Sequence, residues 1–422
     1  MKTLPKLICA VVFVAAAVAA DTKVQYQFQI VHAFGASGDG VGPGGEAAMD
    51  SKGDFYGVTT SGGEYGNGTV FELSPGANGQ WTETILHSFP IFDPSDGWDP
   101  FGVVIDGAGN LYGTTVFGGN GQYCGYEPQG CGVIYELSPG GNGQWTETIL
   151  YNFCSQPNCA DGGEPTVDPT LTLGPDGSLY GVATNTAFRL TPSSNQWTYT
   201  VLYTFCNETG CNPTSGLTLD SKGNLYGEGG TGQCCGIVFQ LQPSQNGQWN
   251  EVVLFNFSGS AIEGGNPIEG LTFHSGGLYG LAEDGGTNCQ RVGGCGGVFE
   301  LTKSSGNIND QILWSFGGEN GAQGELPAGP VVFDKRGDIF GATYEGGEGC
   351  GVGCGVVYWM RQQKNGRWAY YILHSFNGSD GVEPVYGLLL DSKGNLFGAT
   401  GGGGPNGYGV AYELSPTAQA SK

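Results

Sequence analysis

The sequence predicts an all-β protein, a seven-bladed β-propeller with four antiparallel strands per blade, and three observations carry that reading. A motif typified by Asp220-Ser-Lys-Gly-Asn-Leu-Tyr-Gly227 occurs seven times, starting at Asp50, Asp106, Gly174, Asp220, His274, Asp334 and Asp391. Each copy places a polar, Gly-bearing turn after an apolar run and before an aromatic-Gly pair, which is the chemistry of a tight hairpin. Two further strand-like segments follow most copies, as in Thr69 to Pro75 and Trp81 to Phe89, joined by a Gly/Asn-rich linker such as Gly76 to Gln80. No segment sustains helical periodicity, so four strands recurring about every 50 to 60 residues describe a propeller blade and not a helical solenoid.

Taken in order, residues 1–20 read as a secretory signal: Lys2 and Lys6, an apolar core from Leu7 to Val14, then a small-residue stretch ending at Ala20. Val24 to Phe34 alternates apolar and polar residues as a strand does. From Glu46 onward the chain supplies seven first, second and third strands but only six fourth strands. The segment Val24 to Phe34 is the missing one, and pairing it beside Tyr408 to Leu414 would close the ring without a free edge. The blades are expected at about 46–89, 102–153, 169–205, 216–257, 270–316, 330–376 and 387–414 plus 24–34, forming one domain over 21–416 with a short tail at 417–422.

The formal charge is −24, and −26 once Lys2 and Lys6 leave with the signal. Such a surface repels nucleic acid and anionic lipid and suits cations, neutral polymers or plain solubility. With 81 Gly but 39% hydrophobic residues the chain is neither disordered nor collagen-like. No other apolar run is long enough to span a membrane. The expected product is therefore secreted or periplasmic, without nucleic-acid partner or membrane insertion, and monomeric.

Beyond Cys9 the cysteines fall into close neighbours: Cys124/Cys131, Cys154/Cys159, Cys206/Cys211, Cys234/Cys235, Cys289/Cys295 and Cys350/Cys354. An even number in an exported chain reads as disulfides that stiffen short loops. A direct Cys234–Cys235 bond would strain the peptide, and exchange with Cys206 and Cys211 is the alternative. A zinc–thiolate site would need two Cys pairs with His, whereas His32, His87, His274 and His374 sit in strand-like segments.

Antiparallel order sends the uniform turns to one face and the variable second-to-third loops, blade connections and all mature cysteines to the other. Variable loops on a rigid scaffold are where binding sites usually lie. The connections are acidic, with Asp39, Asp96, Asp99, Asp161, Glu164, Glu325, Asp380 and Glu383. Converging carboxylates could hold a divalent cation or act as an acid/base pair on a sugar, in which case Asp99, Glu164, Glu325 and Glu383 are the catalytic candidates. The preferred reading is plainer: Asp-Gly and Asn-Pro are ordinary turn residues, repeated because the turn repeats. Trp98, Tyr123, Tyr126 and Tyr386 lie in loops of the variable face, where a sugar ring could stack on them or where they could simply pack. His32, His87 and His374 share one repeat position with Tyr151, Tyr203, Phe255 and Trp314, which marks them as spacers. No nucleophile elbow, phosphate loop or HExxH motif is present, and no cofactor is expected.

The run Gly-Asn-Leu-Tyr-Gly-Thr-Thr, then Gly-Gly, then Gly-x-Val-Phe-Glu-Leu-x-Pro resembles the Gloeo/Verruco (GloVer) tandem repeat of exported bacterial proteins. It is clearest in Gly109 to Gly119 with Gly132 to Pro139 and in Gly394 to Gly404 with Gly409 to Pro416. The resemblance implies export and a repeat scaffold but brings little function with it. This chain departs from it in lacking a C-terminal anchor signal, and in a third unit that loses the Gly-Gly loop around Val182 to Arg189. The expected function is a non-catalytic binding scaffold for glycan or another extracellular polymer. The alternatives are a glycoside hydrolase or polysaccharide lyase at the channel mouth, and a structural surface protein.

Overall fold

In the computed structural model, the described residues are 25–90, 93, 95–125, 129–163, 165, 171–194, 196–205, 213–230, 235–260, 264–286, 289, 291, 293–304, 307–318, 321–350 and 353–417. They form seven four-stranded antiparallel sheets. Blade 1 comprises Gly40–Met49, Phe55–Gly62, Thr69–Pro75 and Trp81–Ser88, and the next five blades repeat this order. Blade 7 takes Val382–Leu390, Leu396–Gly402 and Val410–Pro416 from the end of the chain and Tyr26–Ala33 from its beginning. Tyr26 pairs with Pro416 and Ala33 with Val410, so the N-terminal strand closes the ring as expected.

The repeated motif makes the turn between first and second strands. Asp50 Oδ1 accepts the backbone N–H groups of Lys52 and Asp54 at 2.8 and 3.0 Å, and Asp106, Asp220, Asp334 and Asp391 do the same in their blades. An Asp side chain can thus fix the turn while Gly53, Gly109, Gly223, Gly337 and Gly394 supply its left-handed φ. The Gly after the aromatic has a different reason. Gly57 and Gly113 lie under the rings of Phe71 and Tyr135 from the third strand, and any side chain there would overlap those rings.

Blades are sealed by aromatic pairs. The Phe at the end of each outer strand meets a third-strand aromatic of the next blade at all seven junctions: Phe34–Phe71, Phe89–Tyr135, Phe153–Phe188, Phe205–Phe239, Phe257–Phe299, Phe316–Tyr358 and Phe376–Tyr412. Ring centroids lie 5.0 to 5.7 Å apart. Tilted pairs of this kind contribute about 0.5–1.5 kcal/mol each beyond their burial. The core is accordingly a set of inter-blade clusters and not one central mass.

Two features differ from the sequence expectation. The first strands of blades 1, 2, 5, 6 and 7 start at Gly40, Gly97, Gly265, Glu325 and Val382, about five residues earlier than expected. Asp99, Glu325 and Glu383, read as parts of blade connections, thus belong to the opening halves of inner strands, while Asp39, Asp96 and Asp380 stand just before them. The reason is an irregularity that hides them: the residue before each Pro has a left-handed φ, as at Gly42, Asp99, Asn266, Leu326 and Glu383, and each of these strands breaks register with its neighbour. The third blade joins Leu179–Ala183 directly to Thr186–Pro192 across Thr184 and Asn185, leaving its rim bare as expected.

Candidate functional site

The inner strands surround an axial cavity of about 730 Å³. Its walls are mostly aliphatic, with Val104, Leu171, Leu217, Leu271, Val332 and Leu389 from six blades. Thr218 Oγ1 donates to the Leu271 carbonyl at 2.5 Å and Thr272 Oγ1 to that of Val331 at 2.8 Å, so these hydroxyls are spent on tying neighbouring blades. Glu46 is the one carboxylate among the described lining residues, and burial pushes its pKa up to about 7. Asp99, Glu325 and Glu383 do not line this cavity.

The expected site residues separate into distinct environments. Asp39, Asp96 and Asp161 are buried. Asp39 accepts from the backbone of Gly35 and Gly40, Asp96 from Gly97, and Asp161 from Ser155 and Gln156. Asp380 accepts from the backbone and side-chain amides of Asn377. Asp99 and Glu383 precede Pro100 and Pro384, and their N–H groups donate to the carbonyls of Asn67 and Cys354 in the preceding blade. Burial raises the pKa of Asp99 and of Glu325. Trp98 stacks on Phe117 at 4.4 Å and packs on the blade 1–2 core. Tyr126, Glu164, Cys206, Cys211 and Cys234 lie outside the described residues, as does the side chain of Tyr386.

Between described residues, disulfides join Cys124–Cys131, Cys154–Cys159, Cys289–Cys295 and Cys350–Cys354, all in loops of the variable face. Cys235 is also disulfide-bonded.

The outer strands follow a rule that single-strand reading does not show. The position filled by His32, His87, Tyr151, Tyr203, Trp314 and His374 faces one particular residue of the next blade. Tyr151 stacks on Tyr199 at 3.9 Å, Trp314 on Tyr370 at 4.6 Å and His374 on Phe28 at 3.9 Å, while Tyr203 donates to Glu251 at 3.1 Å. At the two junctions flanking blade 1 the pair is His with Glu: His32 with Glu83 at 3.5 Å and His87 with Glu147 at 3.7 Å. In both, the His Nε2 also meets the buried Asp of the connecting loop at 3.1 Å, Asp39 or Asp96. Burial, reinforced by the adjacent Asp, pushes Glu83 up to about 8 and Glu147 up to about 9. Burial would lower His32, but Asp39 and Glu83 outweigh it and hold the imidazole above its usual range. His374 faces a ring instead, and there burial prevails and lowers its pKa. Glu83 and Glu147 escaped the sequence reading because each stands on a different blade from its His. The readable signal is a Glu two residues after the outer-strand Trp, one repeat downstream of a His six residues after the equivalent position.

Three tyrosines project from consecutive blades on the variable face. Tyr408 (50% exposed), Tyr65 (54%) and Tyr123 (41%) occupy the second-to-third loops of blades 7, 1 and 2. Tyr408 lies over the backbone of Gly35, and Tyr123 is held by its N–H to the Cys154 carbonyl at 2.9 Å, next to the Cys124–Cys131 bridge. Tyr65 and His87 share the wall of an open cleft of about 840 Å³ with Glu64, Asp93 and Asp96. Tyr123 was among the expected binding residues; Tyr65 and Tyr408 were not, Tyr408 having been read as the start of the strand that begins at Val410.

A model of the Gloeobacter/Verrucomicrobia repeat matches residues 17–186, 123–324, 170–365 and 228–422. No curated protein sequence matches the chain. Among solved structures, the extracellular domain of the putative hybrid two-component system BT4673 of B. thetaiotaomicron is similar at TM-score 0.54 and 13% identity, over 94% of this chain and 40% of that one. The corresponding domain of BT3049 from the same organism gives 0.52 and 15%, over 92% and 41%. The chain thus spans about two fifths of the length of these two extracellular domains. A gluconolactonase of Xanthomonas campestris, XC5397, aligns at TM-score 0.41 and 10% identity, over 93% of this chain and 90% of that one. These likenesses show the fold alone.

Proposed function

From a chain that belongs to the Gloeobacter/Verrucomicrobia repeat family along nearly its whole length, we infer an exported, non-catalytic binding propeller that takes a neutral glycan or a similar extracellular polymer on its variable face. The observation that carries this reading is the row of half-exposed tyrosines on three consecutive blades, Tyr408, Tyr65 and Tyr123. A tyrosine ring offers a flat apolar face with a polar edge and loses little rotamer freedom on contact, which suits stacking on a sugar ring. The anionic surface favours an uncharged chain over a polyanion. The disulfides and the extracellular domains among the structural neighbours support export, and among the described residues no helix is long and apolar enough to cross a membrane.

The hydrolase or lyase reading has less behind it. Of its candidate carboxylates, Asp99, Glu325 and Glu383 do not line the axial cavity, which presents aliphatic walls with a single carboxylate, Glu46, among its described residues. Affinity electrophoresis and calorimetry against neutral polysaccharides test the proposal. Tyr65→Ala and Tyr123→Ala are each expected to weaken binding about 5- to 30-fold, given about 1–2 kcal/mol per truncated aromatic anchor. Reducing-sugar release by the intact chain, or binding unaffected by the double variant, would sink it.

A further inference from the structure

We propose that the two His–Asp–Glu clusters flanking blade 1 are divalent-metal sites of the zinc class, one at the junction of blades 7 and 1 and one at the junction of blades 1 and 2. The inference is independent of the glycan reading. The first cluster is His32, Asp39 and Glu83, and the second is His87, Asp96 and Glu147; within each, the potential ligand atoms all lie within 4.8 Å of one another.

Geometry is the first argument. An ion bound tetrahedrally at about 2.0–2.1 Å to nitrogen and oxygen holds its ligand atoms about 3.3–3.4 Å apart. The His-to-Asp separation is 3.1 Å in both clusters, and the His-to-Glu separation is 3.5 Å in one and 3.7 Å in the other. A hydrogen-bonded structural contact would need only one of those carboxylates. The second argument is orientation from outside the cluster. Asp39 is held by the amides of Gly35 and Gly40 and Asp96 by that of Gly97, which is how outer contacts fix a ligating carboxylate. The imidazoles are seated edge-to-face on Phe34 and Phe89, both at 4.6 Å.

The third argument is what the carboxylates lack. Glu147 Oε1, the carboxylate atom nearest His87, is buried and accepts no hydrogen bond; on Glu83 the buried atom without a donor is Oε1, while Oε2 is the one that faces His32. A buried carboxylate oxygen without a donor is costly, and a cation is the partner that two carboxylates and an imidazole together would favour. The His374 junction supplies an internal contrast. It keeps the His–Asp pair at 3.1 Å but meets Phe28 where the other two meet Glu, so among the described residues it has two ligands and no third. In the second cluster the open coordination position would face the cleft shared with Tyr65, leaving room for water. Each ion would join an outer strand, the loop that follows it and the outer strand of the next blade, on both sides of blade 1.

The test uses the full chain, stripped with chelator and titrated with zinc ion, with bound metal counted by mass spectrometry of the dialysed protein. Two zinc ions per chain are expected at micromolar zinc. His32→Gln and His87→Gln should each keep one, and the double variant none. Glu83→Gln and Glu147→Gln, which preserve shape if the His variants fold poorly, should weaken their own site by at least about tenfold. His374→Gln should still bind two. Zinc uptake in the double variant equal to that of the wild type would overturn the proposal, as would no uptake by the wild type.

Discussion

Glu46 places a carboxylate where the other described channel walls are largely aliphatic. Its pKa, raised by burial to about 7, means that the folded state holds a proton the unfolded chain has already released near pH 4.5. Native protein therefore binds more protons than unfolded protein across that interval, and stability falls as pH rises through it. The expected outcome is that Glu46→Gln matches the wild type near pH 4.5 and becomes more stable by about 1–3 kcal/mol at pH 8. Urea unfolding of both proteins at the two pH values checks it; a difference independent of pH would show that Glu46 is solvated. Residue-scale features of this kind were hardly legible in the sequence. Glu46 reads as one polar residue in a Gly-rich segment, and only the closed ring reveals that it points inward. Tyr123 could be picked out as an aromatic off the repeat pattern in a long variable loop, whereas Tyr65 sits in a short Gly-rich one.

Among the elements, the outer strand does most to define the junctions. Phe28 on the N-terminal strand stacks on His374 with an interplanar angle of 6° and lies 5.7 Å from Tyr412 and 5.8 Å from Phe376, so it binds blade 7 to blade 6. Phe28→Ala is expected to cost about 2–3 kcal/mol, below the 3–5 of a fully buried Phe because this ring is only partly covered. Denaturant midpoints at constant m-value would measure it. Second, third and outer strands were legible because each repeats a strong pattern, such as Trp-Thr-Glu-Thr-Ile-Leu. The openings of the inner strands were not. Asp99-Pro100 and Glu383-Pro384 have the composition of a turn, and left-handed φ in the midst of a strand leaves no periodic trace. The junction clusters were illegible for another reason. His32 and Glu83 are neighbours only because the ring places blade 7 against blade 1, and comparing His32 with its own repeat positions returns aromatics.

For the molecule as a whole, closure is the property that counting strands could foretell, since seven triplets with six outer strands leave one vacancy and one spare segment. Removing Tyr26–Ala33 would bare the backbone of Val410–Pro416, an unprotected edge of the kind that pairs with other chains. Size-exclusion chromatography is expected to show larger species for that deletion than for the intact protein. A peptide of sequence Tyr-Gln-Phe-Gln-Ile-Val-His-Ala supplied in trans should reverse the shift by adding the strand back. Unchanged elution after the deletion would mean that the edge is covered by something else.

The seam in blade 7 also sets an order in time. Its outermost ribbon emerges from the ribosome before the rest of the propeller, and its partner, Val410–Pro416, emerges nearly four hundred residues later. The contact that finishes the circle is thus among the most distant in sequence that this polypeptide can make, and such contacts form slowly. Until then six blades can assemble by local pairing while Tyr26–Ala33 waits unmatched, and a growing chain exposes one unsatisfied ribbon through most of its synthesis.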